Sequence, residues 1–350
     1  MSDNIDNIIV DTATRIFQDL CEPATINNAE TGVWPKALWD ALEESGLPLA
    51  WVPEALGGPG ATMADGFAVL RAAGRFAVPA PLAETLMAGW LLARAGITAP
   101  AGAMTLAPVH ADGHITLDRE GRLSGRARRV PFARNAGHFA VLVRRGGVPA
   151  VALVADAGVA VSHQQSLSGE PRDTVSFDGV VPETVAPVEL DEDVIQRLGA
   201  AVRSQQMAGA LEKILEQSVQ WALDRSQFGR PIAKFQAVQH NLAALAGEVA
   251  AAGAAADLAA EACTGTEIGT AEIAIAKVRA GEAAGSGAAI AHQVHGAMGF
   301  TYEHTLHHAT RRLWAWREEF GNEAVWATRL GRMVAERGAD QLWPFITEAS

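Results

Sequence analysis

The sequence predicts a mainly α protein with a small β domain in its middle. Apolar residues recur at helical spacing up to about residue 102, short β-type runs separated by glycine turns fill about 103–188, and Ala-rich helical tracts fill 189–350. These ranges are taken as three domains: helical, β and helical bundle.

The first zone carries its helical pattern in WPKALWDALEESGL, through Trp34, Leu38 and Leu42, and in ADGFAVLRAAGRF, through Phe67, Leu70 and Ala73. Between them, Gly57, Gly58, Pro59 and Gly60 forbid a helix and require a turn-rich loop. In the second zone the β runs are Ile115–Leu117, Phe139–Val143 and Val151–Val154. Turns at Asp112-Gly113, Glu120-Gly121 and Gly146-Gly147 separate them, which predicts a small antiparallel module. Pro182 and Pro187 then mark a connector. In the third zone helices are expected over 191–224, 236–262, 268–297 and 316–337. Alanine dominates the middle two. It has the best helix propensity, and its small side chain lets helices approach closely, so a long up-and-down bundle fits.

Composition narrows the partners. The chain of 350 residues has a net charge of -12 and a pI near 5.3. An acidic protein gains nothing from counterion release on nucleic acid and is repelled by an anionic membrane, so neither is expected as a partner. The two cysteines, Cys21 and Cys263, offer no metal-ligand spacing and no disulfide framework. The N-terminus has no basic region ahead of an apolar core, and the apolar runs are broken by Glu, Asp, Lys or Gly. A cytoplasmic protein is expected.

No GxGxxG opens a helix, and there is no Walker loop, CxxC or HExxH. Three other segments carry chemistry. RSQFGRPIAKFQAVQHNLA places Arg225, Gln227 and Phe228 between two helices, with Gly229 as the break and a new helix near Phe235. A guanidinium forks onto phosphate oxygens and a phenyl ring gives a flat apolar wall, so the cluster suits a diphosphate joined to a heteroaromatic group. An Arg that merely stabilises a helix C-terminus is the other reading. HQVHGAMGFTYEH ends a helix at Gly296, and small residues at 296, 297 and 299 let a ligand approach the backbone. His292, His295, His304, His307 and His308 lack partners at closed-site spacing; solvated or hydrogen-bonded histidines are expected and no metal. RRLWAWREEFGNEAVW sets Glu318 and Glu319 at a helix-turn boundary beside Trp314 and Trp316. A carboxylate desolvated there can serve as a base; a solvated Glu pair is the alternative.

In this order the segments resemble the acyl-CoA dehydrogenase family, over most of the chain. WDALEESGLPLAWVPEALGGPGAT is similar to its VPE-x-x-GG-x-G loop, RSQFGRPIAKFQAVQ to its R-x-x-FG…FQ-x-Q signature, and HQVHGAMGF to its Q-x-x-GG-x-G-[YF] signature, with Ala297 for the second glycine. The resemblance implies a helical N-domain, a β-barrel or sandwich and a C-terminal four-helix bundle. It implies FAD as cofactor, α,β-dehydrogenation of an acyl-CoA thioester, and an electron acceptor such as an electron-transfer flavoprotein. Arg225, Gln227 and Phe228 match positions that contact FAD across a subunit interface; Ile232, Phe235 and Gln236 match the helix start lining the same site. Gln293, Val294, Gly296 and Ala297 match the segment that meets the adenosine end of FAD from a neighbouring subunit. An oligomer follows.

The family's catalytic carboxylate is where the chain departs. An ungapped register puts Phe320 at that position, with Glu319 one residue early; Glu319 is taken as the candidate base and Glu318 as second choice. The other family location, on RLGAAVRSQQ, holds no acid, and Asp191 to Asp193 lie about two turns upstream. In the β domain the Thr105–Gly113 stretch replaces the usual Thr-Glu-Pro loop. These departures resemble a short bacterial branch that degrades sterols and their side chains. That branch often forms α2β2 assemblies with one active subunit, so either a homo-oligomer or such a mixed assembly is implied. In the latter this chain would be a non-catalytic partner completing a shared FAD site.

Overall fold

The computed structural model describes residues 3–348 apart from 111, 112, 192 and 266. Of the expected features, Asp112 of one turn and Glu192 of the acidic stretch lie outside the described residues. The chain forms two compact units: one of 1–70 with 78–198, the other of 71–77 with 199–350.

The first unit holds α1 (Asp3–Leu20), α2 (Pro23–Glu30), α3 (Lys36–Glu44), most of α4 (Met63–Arg75) and α5 (Leu82–Arg94). The residues that announced helices are its core: Leu38, Leu42, Phe67 and Leu70 are all buried. The glycine loop between α3 and α4 folds tightly onto itself. A Cβ on Gly58 would stand 2.2 Å from the Val52 carbonyl oxygen, so no side chain fits there.

Eight strands follow: β1 (Met104–Ala107), β2 (His114–Leu117), β3 (Leu123–Pro131), β4 (His138–Arg145), β5 (Val148–Ala155), β6 (Val159–Ser162), β7 (Arg172–Val180) and β8 (Thr184–Pro187). They make two four-stranded sheets, ordered β1-β4-β5-β8 and β2-β3-β7-β6. Phe139 of one meets Phe177 of the other edge to face, with ring centroids 6.3 Å apart. The module is not wholly antiparallel: β1 runs parallel to β4, because the chain crosses into the second sheet through β2 and β3 before returning. The stretch read as a connector supplies β8, whose Pro187 sits at the open edge of its sheet.

The second unit is the bundle. It takes most of α6 (Val194–Asp224), a minimal hairpin of β9 (Ser226–Gln227) and β10 (Arg230–Pro231), then α7 (Gln236–Glu261), α8 (Ala271–His295), α9 (Leu306–Glu318), α10 (Glu323–Arg337) and α11 (Leu342–Glu348). Its core joins Met207, Leu211 and Ile214 of α6 to Leu245 and Val249 of α7, Ala283 and Ala284 of α8, and Leu313 and Trp316 of α9. Helix α7 is long and apolar enough by composition to cross a membrane, yet Leu245, Val249 and Ala252 are spent inside this core. The helix expected over 316–337 is in fact two, α9 and α10. Phe320 and Gly321 take positive φ of 53° and 87°, which breaks the ladder, and Asn322 caps α10 by accepting from the Val325 N–H at 3.2 Å.

Candidate functional site

A groove of ≈ 470 Å³ opens on the bundle where α6 hands over to α7 and where α8 ends. Helix α6 stops at Asp224. The chain then makes a two-residue hairpin turn, with Phe228 and Gly229 at its tip at φ 50° and 78°. Two successive positive φ values match the twist of paired strands, so Gly229 serves as hairpin tip, while the helix ends at 224 as expected. The Ile232 N–H returns to the Arg225 carbonyl at 2.8 Å and closes the loop. Phe228 is 91% exposed and meets Phe235 edge to face, with centroids 6.1 Å apart. The Arg230 guanidinium lies 4.3 Å above the Phe235 ring.

On the facing side α8 ends at His295, and Gly296 turns the chain at φ 60° with no atom within 4 Å of where a Cβ would lie. Nine of the ten residues matched to FAD contacts line this one groove: Arg225, Gln227, Phe228, Ile232, Phe235, Gln293, Val294, Gly296 and Ala297. Gln236, the tenth, is exposed at the first position of α7, beside Phe235. Asn241, His295 and Met298, at positions of the quoted segments that no signature specifies, also line the groove, as does Trp221, which lies outside those segments. The arrangement offers one guanidinium, side-chain amides, an exposed phenyl ring and an unobstructed backbone turn. Those are the groups that an anionic linker carrying a flat heterocycle needs.

The histidines are packed rather than solvated. His295 stacks on Trp221 with centroids 5.3 Å apart, His292 stacks on Phe300 at 4.5 Å, and His307 meets His308 edge-on at 4.3 Å. His292 Nε2 pairs with Thr310 Oγ1 at 3.1 Å. Burial lowers His295 to about 4 and His308 to about 3, so both are neutral near pH 7. Among the described residues no group of three or more His, Cys, Asp or Glu is placed to hold a metal ion.

Glu318 and Glu319 lie apart from the groove. Glu318 is exposed and accepts from Asn322 Nδ2 at 3.2 Å. Glu319 turns inward and accepts from Arg203 Nε at 2.8 Å, while the Arg203 guanidinium also bonds Gln206 and faces the Trp316 and Phe320 rings. Fully buried Lys277 donates from Nζ to the Trp316 and Arg317 carbonyls at 3.1 and 2.6 Å. Burial lowers Lys277 to about 7, against the pull of the nearby Glu319 carboxylate. Arg203 and Lys277 carry no motif; in the sequence they read as ordinary helix residues.

Family models for acyl-CoA dehydrogenase match the chain twice: the N-terminal domain over residues 6–99 and the C-terminal domain over 196–335. Acyl-CoA dehydrogenase IpdE2 of Mycobacterium tuberculosis is 31% identical over 275 residues, covering 78% of this chain and 79% of that protein. The ChsE4-ChsE5 complex of the same organism contains a chain 25% identical, superposing with a TM-score of 0.83 over 95% of this chain and 98% of that one. Butyryl-CoA dehydrogenase of Megasphaera elsdenii shares the fold at 17% identity and TM-score 0.80, over 94% and 97% of the two chains. The chain belongs to the acyl-CoA dehydrogenase family, oxidoreductases that act on CH–CH bonds.

Proposed function

We propose that this chain is an FAD-holding subunit of an assembly that dehydrogenates an acyl-CoA thioester between its α and β carbons. The observation that carries this reading is the convergence of nine motif residues, from two segments far apart in sequence, on one groove. Arg225 supplies charge to the FAD diphosphate, Phe228 and Ile232 supply apolar walls, and Gly296 with Ala297 admits the ligand to the backbone. FAD held there would supply the hydride acceptor for the β hydrogen, with an electron-transfer flavoprotein as the onward acceptor.

The α proton needs a carboxylate. Glu319 is tied to Arg203 inside the bundle and lines no part of the groove, which supports its being a structural anchor. Glu318, the second choice, is exposed and bonded to Asn322. The base is therefore assigned to a second, different acyl-CoA dehydrogenase chain of a mixed cytoplasmic assembly, and this chain completes the flavin site. Phe228 stands 91% exposed in the groove wall, and Phe300 and Tyr302, which follow Met298 in the chain, are 73% and 78% exposed, as large aromatics awaiting a covering chain are.

The test is purification of the chain alone and co-expressed with a second acyl-CoA dehydrogenase subunit. Flavin absorbance in the joint complex, and bleaching by acyl-CoA only there, is the expected result. Full bleaching by the chain alone returns the base to this chain, and a colourless complex removes FAD.

A further inference from the structure

The β domain carries charge of the opposite sign to the rest of the chain. Residues 119–145 hold eight arginines, one acid (Glu120) and no lysine, a local charge of +7 (8 − 1) in a protein of net charge -12. Arg134 is spent internally on buried Asp173, and Arg144 donates to the Gly147 carbonyl. Strand β3 turns three of the others outward. Leu123 and Ala127 point into the sandwich and are fully buried. Ala127 pairs with Val175 and Val130 with Asp173, so Arg128 and Arg129 together oppose the single residue Thr174, as a β-bulge. Plain alternation would send Arg129 inward. With the extra residue both arginines are exposed, and Val130 returns to the core. The bulge holds Arg129 at φ 54°, in the left-handed region that favours glycine.

Arg126 stands on the same outward side, two positions before Arg128. Its cross-strand neighbours are His114 of β2 and Ser176 of β7, with Ala160 of β6 beyond. These neighbours toward β6 are short, so the guanidinium rises above them. One acid shares the face among the described residues, Asp178, which lies across from Ser124. The side chains of Arg126 and Arg129 have no hydrogen-bond or ion-pair partner among the described residues. Backbone strain of this kind persists where something else gains from it. We propose that the arginine face of β3 docks a protein partner that presents clustered carboxylates. A guanidinium forks onto a carboxylate with two parallel hydrogen bonds. An open sheet face suits a surface, whereas small ligands take concave sites. Nucleic acid and anionic membranes carry charge over an extended surface and would meet the acidic remainder of the chain. A carboxylate cluster on a protein fits inside the patch, and at a Debye length of about 8 Å it is screened from that remainder. The face belongs to the compact unit that does not hold the flavin groove, so it stands apart from that reading.

The test titrates a fluorescently labelled decaglutamate peptide with the full chain by anisotropy, at about 0.15 M salt. Wild type is compared with Arg126→Gln, with Arg129→Gly, with the two combined, and with Arg119→Gln combined with Arg145→Gln. The last pair removes the same charge from exposed arginines outside the bulge. Wild type is expected to bind the peptide, the Arg126/Arg129 pair about tenfold more weakly, and the Arg119/Arg145 pair within about twofold of wild type. Arg129→Gly alone should bind more weakly yet melt a few degrees higher, because glycine relieves the left-handed strain. Absent binding by wild type, or equal affinity in the Arg126/Arg129 pair, overturns the proposal. So does an equal loss in the Arg119/Arg145 pair, which would reduce the effect to net charge. A DNA duplex or phosphatidylserine vesicles bound as tightly as the peptide, and lost with Arg126 and Arg129, would replace the protein partner by a polyanion or a membrane. An Arg129→Gly chain that melts below wild type makes the bulge structural and overturns the argument from strain. Should the combined variant fail to fold, Arg126→Gln decides alone: about a threefold loss supports the docking face, and unchanged affinity overturns it.

Discussion

Arg203 and Glu319 form a buried ion pair, Nε to Oε2 at 2.8 Å, with their side chains 1% and 11% exposed. The pair ties the middle of α6 to the break between α9 and α10. Lys277 pins the same break from α8 through two backbone carbonyls. The break is thus held by two cations and one carboxylate, none of which reaches the groove. Removing one member of such a pair leaves the other charge buried and uncompensated.

Glu319→Gln is accordingly expected to lower stability by about 3–5 kcal/mol, read as a drop in the urea midpoint. Flavin content at low temperature should fall less than stability does. A variant as stable as wild type whose flavin no longer bleaches with acyl-CoA would identify Glu319 as the base instead.

Arg225→Ala removes a charge-assisted contact to the diphosphate. The expected cost is about 1.5–3 kcal/mol, or roughly ten- to a hundredfold in FAD affinity, with an unchanged melting temperature for the flavin-free protein. Arg225 is exposed in the flavin-free chain, so fold and binding separate cleanly here.

Gly209 faces the segment 71–77 within the bundle unit, and a Cβ there would lie 1.9 Å from the Arg71 carbonyl oxygen. Backbone cannot yield as a flexible side chain does. Gly209→Ala should therefore destabilise by about 1–3 kcal/mol through overpacking, despite alanine's better helix propensity, as measured by thermal unfolding.

Acid should loosen the bundle. His295 and His308 have folded values of about 4 and about 3, below the ordinary 6.5. The unfolded chain then binds protons first, so the stability these neutral rings contribute is complete above about pH 6.5 and is lost as pH falls toward 4. Lys277, lowered from 10.5 to about 7, acts in a separate window: its buried cost grows as pH falls from about 10.5 to about 7. Urea midpoints at pH about 7, 6 and 5 should decline for wild type, and His308→Gln should flatten that decline.

The groove was legible in the sequence because its residues sit in two short segments at helix ends, where Gly229, Pro231 and Gly296 mark the turns. Spacing within each segment gave the chemistry, and the resemblance gave the pairing of the two. The Arg203–Glu319 pair was not legible, since its partners are 116 residues apart and nothing local distinguishes Arg203 from a surface arginine. The same holds for His295, whose stacking on Trp221 is invisible to periodicity. The split of 316–337 into two helices was half legible: Phe-Gly marks the helix-turn boundary after Glu319, but the helical pattern on either side reads as one element.

Gly199 and Phe320 make one shape between them: a Cβ at 199 would fall 2.2 Å from the Phe320 ring. The two positions are therefore epistatic. A smaller residue at 320 would leave room for a side chain at 199, whereas phenylalanine there confines position 199 to glycine. A carboxylate at 320 is obstructed as well. A glutamate introduced at 320 would replace a ring that sits 5.8 Å from the Arg203 guanidinium, and it would compete with Glu319 for that cation. A single substitution at 320 would thus add a second carboxylate to an existing ion pair before it could add a base.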